Sequence, residues 1–400
     1  MSDRPAVLSG VPIFHSKINI VRPLLPSFED LKADIEEILA SGMVTKGRHL
    51  SAFEEAVAKH LRVKHAIAVS SCTLGLMLTY KCLELSGDVV VPSFTFMATA
   101  SSLVWAGLTP VFADVDFETT TLDVNAAEEA ITPHTSAIVA VHNFGNPAEI
   151  DELTALAHRR GLKLVFDAAH GFGASYKGAP VGPQGDAQVY SLSPTKLLIA
   201  GEGGIVATNN DELAERVRVG REYGNDGNYD SAFAGVNARM PELSALMGVR
   251  SLRNLEQSAR HRNRTAEVFR TGLGDLPGIA FQKIADGNRS SYREFSITVD
   301  ADRFGLSRDH LARALGSENI DTRKYYDPPV HRQTAYREFA IAATSLPNTD
   351  RLASCSLSLP MWSHMEDETA SKICVAFHRI HEFAADVARE LEQPVTTATR

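Results

Sequence analysis

Cysteine and tryptophan are scarce in this 400-residue chain, with four of the first and two of the second. Cys72, Cys82, Cys355 and Cys374 include no Cys-x-x-Cys pair and no Cys/His cluster at zinc spacing, which excludes a disulfide scaffold and points away from a structural metal. A reducing compartment is the expected setting. Long apolar runs are missing as well. No uncharged stretch approaches bilayer-spanning length, and the start, MSDRPAVLSGVPIFHSK, lacks the apolar segment of a secretion signal, so the expected location is the cytoplasm. Nor is there an excess of positive charge: 40 Lys and Arg against 49 Asp and Glu leave −9, which repels nucleic acid and anionic membranes. A local basic pocket stays open.

What is present is the composition of a folded globular chain, long enough for one large domain and a smaller one. Phe28, Leu31, Ile35, Ile38 and Leu39 share a helical face, with Ser27 to cap its start and Gly42 to take the left-handed position at its end. SAFEEAVAKHL reads as a second helix, Ser51 and Glu54 having the spacing of a capping box. The texture then changes to short Val- and Ile-rich runs: HAIAVS, DVVV, TPVFA, AIVAV, LKLVF, QVYSL and GIVAT, with helical stretches between several of them. Such runs suit strands covered on both faces, and the alternation predicts an α/β domain with a largely parallel sheet. Beyond a helical region around 241–273, REFSITVD reads as a strand, LSRDHLARAL as a helix and ETASKICVAFHRIHEFAADVARELE as one long closing helix. The predicted division is a large α/β domain over 1–254 and a small α+β domain over 255–400, ending in a frayed tail, QPVTTATR.

Four features carry chemistry. Lys196 follows a strand and a Ser-Pro-Thr turn and leads into Gly201, Glu202, Gly203 and Gly204; the alternative is an exposed loop lysine. Asp167 ends an apolar strand, where ligands bind in open α/β sheets; the alternative is a turn cap. Ser70, Ser71, Cys72 and Thr73 lie between a strand and a helix, forming either an anion cradle of amides and hydroxyls or a plain N-cap. Phe94 and Phe96 follow another strand end, to stack on a flat ring or to pack in the core. Together, a cradle, a stacking aromatic, a strand-end carboxylate and a loop lysine suit pyridoxal 5′-phosphate (PLP).

Ordered along the chain, SGMVTKGRHLSAFEEAVAKHL, AVSSCT, VPSFTFMATA, DVDFETTTLD, VHNFGNPAEID, DAAHGFGASYKG, YSLSPTK, GEGG and GVNARMPELSALMG resemble the sugar aminotransferases of the DegT/DnrJ/EryC1/StrS group. The resemblance implies the aspartate aminotransferase-like fold (fold type I) for the large domain. It further implies Lys196 as the lysine that forms the Schiff base with PLP, Asp167 as partner of the ring nitrogen, Phe96 as the stacking residue and His170 beside the cofactor. Ser191, Ser71 and the amides of Cys72 and Thr73 match the phosphate grip. Asn237, and with it Arg239, corresponds to residues reaching into a neighbouring subunit's site, which implies a homodimer. Cys72 stands where Gly is common and Ser193 where His is frequent. Family members acting as 3-dehydratases carry His in place of this lysine, so Lys196 favours transamination.

L-Glutamate is the implied donor. REYGNDGNYDSAFAGVNARM, with Tyr223, Gly224 and Asn225, and NIDTRKYYDPPVHRQTAYREF resemble the branch acting at carbon 4 of dTDP-4-keto-6-deoxyhexoses. Carbon 3 of a keto sugar, a cyclitol ketone, and a noncatalytic PLP- or sugar-nucleotide-binding regulator are the alternatives. Arg323, Lys324, Tyr325, Tyr326, His331 and Arg332 are either a nucleotide diphosphate contact at the cleft rim or a solvated strip.

Overall fold

The structure is a computed structural model and describes residues 4–339 and 345–392. The tail QPVTTATR lies outside the described residues. Among the described residues twelve strands form three sheets: β1 (His65–Val69), β2 (Asp88–Pro92), β3 (Thr109–Ala113), β4 (Thr135–Val141), β5 (Lys163–Asp167), β6 (Ser175–Tyr176), β7 (Ala179–Pro180), β8 (Ala187–Ser191), β9 (Gly204–Thr208), β10 (Ile279–Phe281), β11 (Phe295–Val299) and β12 (Ser356–Leu359). The main sheet has the order β1-β9-β8-β5-β4-β2-β3. Each of the seven apolar runs read from the sequence becomes one of its strands. Pairings from β3 through β2, β4 and β5 to β8 are parallel, and β9 runs against both β8 and β1.

Alternation explains why these runs lack polar residues. Ile67, Val69, Val89, Val91, Val139, Val165 and Val189 enter the apolar cluster on one face of the sheet. Ala66, Ala68 and Ile205 point to the other face, as do Val90, Ile138, Ala140 and Phe166. Helices cover both faces, so water reaches neither. The carboxyl ends of β1, β2, β4, β5 and β8 therefore meet at one edge, joined by the amino end of β9, whose Gly204 pairs with both Val69 and Ser191.

A second core surrounds the antiparallel sheet β10-β11-β12, against which the helices Leu255–Leu273 and Asp367–Glu382 pack. Ile18 belongs to this core, and Val7, Leu8, Ile13 and Phe14 pack against it, so the amino-terminal stretch joins the carboxyl-terminal half. The closing helix is not continuous: it ends at Glu382, Phe383 leaves helical geometry, and Ala384–Glu392 forms a separate helix. Among the described residues no helix is long and apolar enough to cross a membrane.

Helix ends show where local sequence rules held. Ser27 and Asp30 form a reciprocal capping box and Gly42 takes a left-handed conformation (φ 68°). Ser51 and Glu54 do not form the expected box, because the second helix already begins at Arg48. Its free amides are taken instead by Glu242, from far along the chain, whose carboxylate accepts from Gly47, Leu50 and His49 at 2.8, 3.0 and 2.8 Å. Glu54 serves elsewhere, accepting from the Ala68 amide and pairing with Arg221. Glu242 is buried. Glu242→Ala is expected to lower the unfolding free energy by about 3 kcal/mol, because it strands three amides whose partner was charged. A urea titration measures this, and Glu242→Gln should lose less.

Candidate active site

The edge described above opens into a cleft of ≈ 380 Å³, within the range of small-molecule sites. Ser71, Cys72, Thr73, Phe96, Asp167, His170, Ser191 and Lys196 all line it. They arrive from four strand ends, those of β1, β2, β5 and β8, and the sheet order brings them together.

The helix Cys72–Cys82 starts directly after β1, with the Ser71 hydroxyl accepting from the Leu74 amide at 3.2 Å. Its first-turn amides point to the cleft edge, where an anion is favoured. Two glycines permit this approach. A side chain on Gly75 would begin 2.9 Å from Val189, and one on Gly204 would begin 2.7 Å from the Cys72 nitrogen. Cys72 turns its sulfur toward the Val189 carbonyl (3.6 Å), which leaves the amide side of the cradle clear. Burial pushes its thiol well above the usual range. Across the cleft, Ser191 ends β8, and a tight turn closed by the Lys196 amide on the Ser193 carbonyl (3.0 Å) presents Lys196.

Lys196 is held down to about 8, first by burial and next by the positive charge of Arg293. Asp167 is 5% exposed. Its carboxylate accepts from the Thr99 hydroxyl at 2.7 Å and the Ala169 amide at 3.1 Å. Burial raises its pKa, while these two donors and Lys196 pull the other way. His170 is pushed far below its usual value by burial, with Lys196 and Arg293 adding to the effect, so it is neutral. Its Nδ1 is buried without a hydrogen-bond partner.

The two phenylalanines separate. A bend over 93–95 breaks the strand alternation, so Phe94 is fully buried against Phe144 and Tyr326, whereas Phe96 is 52% exposed at the cleft. Phe96 thus has a free face. Asn237 is exposed and lies outside this chain's cleft lining, its backbone bridging Glu222, to which Arg239 donates at 3.1 Å. Of the later aromatic and basic strip, Tyr325 and Tyr326 line the cleft. Arg323, Lys324 and Arg332 pair with Asp321, Asp309 and Asp350, so their charges are spent locally, and the His331 ring also meets Asp350.

Sequence reasoning missed Thr99, Arg293 and Glu294. Thr99 lies in a quoted motif, but only the fold turns it toward Asp167. Arg293 and Glu294 immediately precede β11, and a charged pair before a strand reads as surface.

The residues present fit PLP. A cradle of amides and hydroxyls sits at one end, and a buried carboxylate faces the cleft where a ring nitrogen needs a proton held. An orphaned imidazole nitrogen and an open aromatic face lie alongside, and Lys196 is depressed enough to be a nucleophile. Among the described residues there is no group of three side chains able to hold a metal ion.

The DegT/DnrJ/EryC1/StrS aminotransferase family model matches residues 27–378. The chain is 33% identical over 363 residues to the spore coat polysaccharide biosynthesis protein SpsC of Bacillus subtilis, covering 87% of this chain and 93% of that protein. It is 35% identical over 357 residues to the dTDP-3-amino-3,4,6-trideoxy-alpha-D-glucose transaminase of Streptomyces venezuelae, covering 88% and 93%. Among solved structures, DesI in the presence of its TDP-sugar product superposes with a TM-score of 0.90 at 35% identity, covering 98% of each chain.

Proposed function

The chain belongs to the DegT/DnrJ/EryC1/StrS aminotransferase family and is a PLP-dependent sugar aminotransferase, and from that premise we propose that it moves the amino group of L-glutamate to carbon 4 of a dTDP-4-keto-6-deoxyhexose. The observation that carries the acceptor is Tyr325 and Tyr326 in the same cleft as Lys196. They belong to the segment whose sequence resembles the carbon 4 branch. DesI, solved with a TDP-sugar product, supports the nucleotide.

PLP, when bound, supplies an electron sink for the charge that develops at the donor's α carbon. In this reading Lys196 Nζ is its attachment point. As a free amine, Lys196 would take the proton from the donor's α carbon and return one. A pKa near 8 leaves a useful share of both protonation states at neutral pH. Thr99 and Ala169 hold the Asp167 carboxylate in place, where it would keep a proton on the ring nitrogen of the bound group. The Cys72 and Thr73 amides with the Ser71 and Ser191 hydroxyls would hold the phosphate, and Phe96 and His170 would flank the ring.

Asn237 completes the site of a second copy. Its exposure outside its own cleft supports this, as do the exposed Met97, Trp105, Phe28 and Leu39, apolar side chains that a homodimer would cover.

The test is absorbance of the PLP-loaded protein. L-Glutamate should bleach the visible band and dTDP-4-keto-6-deoxyglucose should restore it, with the product's amino carbon assigned by NMR. The second reading, carbon 3, rests on the Streptomyces venezuelae relative, a transaminase of a dTDP-3-amino sugar. Restoration by a 3-keto sugar alone would select it.

A further inference from the structure

The cleft must admit two chemically different partners in turn. One carries a carboxylate on the carbon that reacts, and the other presents an uncharged hexose ketone. Among the described residues lining the cleft, Lys196 and Arg293 are the two that carry a cation, since His170 is kept neutral. Asp167, Glu202 and Glu294 place carboxylates around the same space. An incoming carboxylate is therefore repelled unless a cation meets it, and Lys196 is committed to the reacting carbon.

Arg293 is placed to do so. Its side chain is 8% exposed and that of Glu294, with which Nη1 pairs, 4%. Its Nε is buried with no hydrogen-bond partner. The Tyr325 hydroxyl also interacts with the guanidinium. The backbone beneath it is fixed: Arg262, itself buried, donates through Nη1 to the carbonyls of Tyr292 (3.0 Å) and Arg293 (3.2 Å) and through Nε to Ser363 (3.0 Å). A planar fork of five donors in the cleft wall, with its Nε–H not spent on a protein partner, is chemistry that takes a carboxylate. Position favours the α-carboxylate, because Arg293 and Lys196 line the same cleft and the Lys196 amine must reach the donor's α carbon. The α-carboxylate is one bond from that carbon.

We infer that Arg293 binds the α-carboxylate of the amino donor, and that Glu294 is its internal counter-ion, released when the donor carboxylate arrives and engaged again when the uncharged hexose takes its place. This rests on the proposal that the donor is an amino acid. The pairing has a physical reason, since a guanidinium left alone beside the sugar would be a desolvated, uncompensated charge, which is strongly unfavourable. Glu294 compensates the guanidinium while the sugar occupies the cleft, and the donor carboxylate compensates it in the other half-reaction.

The experiment uses the PLP-loaded protein and follows bleaching of its visible band in single turnovers. Three donors are compared: L-glutamate, L-glutamine, which keeps only the α-carboxylate, and L-isoglutamine, which has the α-carboxylate amidated. The wild type should favour the first two over the third. Arg293→Gln should raise the half-saturating concentration of L-glutamate and L-glutamine by about 30-fold or more, as expected when one partner of a buried charge pair is removed. It should leave L-isoglutamine and the half-saturating keto sugar concentration unchanged. Arg293→Lys should recover part of the loss, and an unchanged visible band in both variants shows that the site still assembles. An equal change for all three donors, or no change, overturns the inference while the donor proposal stands. A wild type bleached by none of the three overturns both.

Discussion

Lys196→Ala is expected to reduce sugar amination by at least about 10²- to 10⁴-fold, the contribution of a positioned acid and base, with loss of the attachment point added to it. The reason is geometric. Lys196 sits at the end of a turn closed on Ser193, facing the Asp167 carboxylate and the amide cradle, and among the described residues lining the cleft only it offers an amine. Turnover is read as 2-oxoglutarate formed from L-glutamate, and the lysine-dependent visible absorbance should vanish with it. Retention of both would remove Lys196 from the mechanism.

The same lysine makes a pH prediction for the cofactor-free chain. Its folded pKa of about 8 lies below a lysine's ordinary 10.5, so between these values the unfolded chain binds the proton and the folded chain does not. Stability from this group therefore rises with pH across that window, and below about pH 8 the folded state carries the full cost of a desolvated ammonium. Lys196→Met should be more stable than wild type at pH 7, and the gap should close toward pH 10.5 in urea titrations. A gap independent of pH would show that the lysine is not desolvated.

Asp167→Asn is the second large effect. The carboxylate accepts from the Thr99 hydroxyl at one oxygen and the Ala169 amide at the other. An amide there has a single acceptor oxygen and turns an N–H toward one of those donors, and it carries no charge to keep a proton on the ring nitrogen. Turnover should fall by about 10²- to 10³-fold, the size found when a preorganised electrostatic partner of developing charge is removed. Lys196 still captures the cofactor, so the visible band should persist. Full activity in Asp167→Asn would assign the ring nitrogen's proton to another group.

Much of this was written locally. Seven apolar runs became the seven strands of the main sheet, because a residue in a strand covered on both faces has no position where a polar side chain is cheap. Ser27 and Gly42 ended their helix as their chemistry requires, through a side-chain oxygen and a left-handed backbone. Lys196, Asp167 and the Ser71 to Thr73 turn were visible because strand ends and short turns tie function to sequence neighbours.

Ser51 shows the opposite case. Its spacing to Glu54 satisfied a local rule, yet the helix began three residues earlier because Glu242 offered its amides a buried carboxylate. The difference between Phe94 and Phe96 was likewise set by a bend and by what each side chain met. The sequence by itself determined the α/β class, the strand ends at which the cleft forms, and the lysine, the carboxylate and the hydroxyl-bearing turn that line it. Tertiary structure decided that β9 runs against its neighbours, that Glu242 caps a distant helix, and that Arg293, Glu294, Tyr325 and Tyr326 join the cleft. These depend on contacts between elements far apart in the chain, which leave no period or spacing in the sequence because the energy that selects them exists only once both partners are buried together.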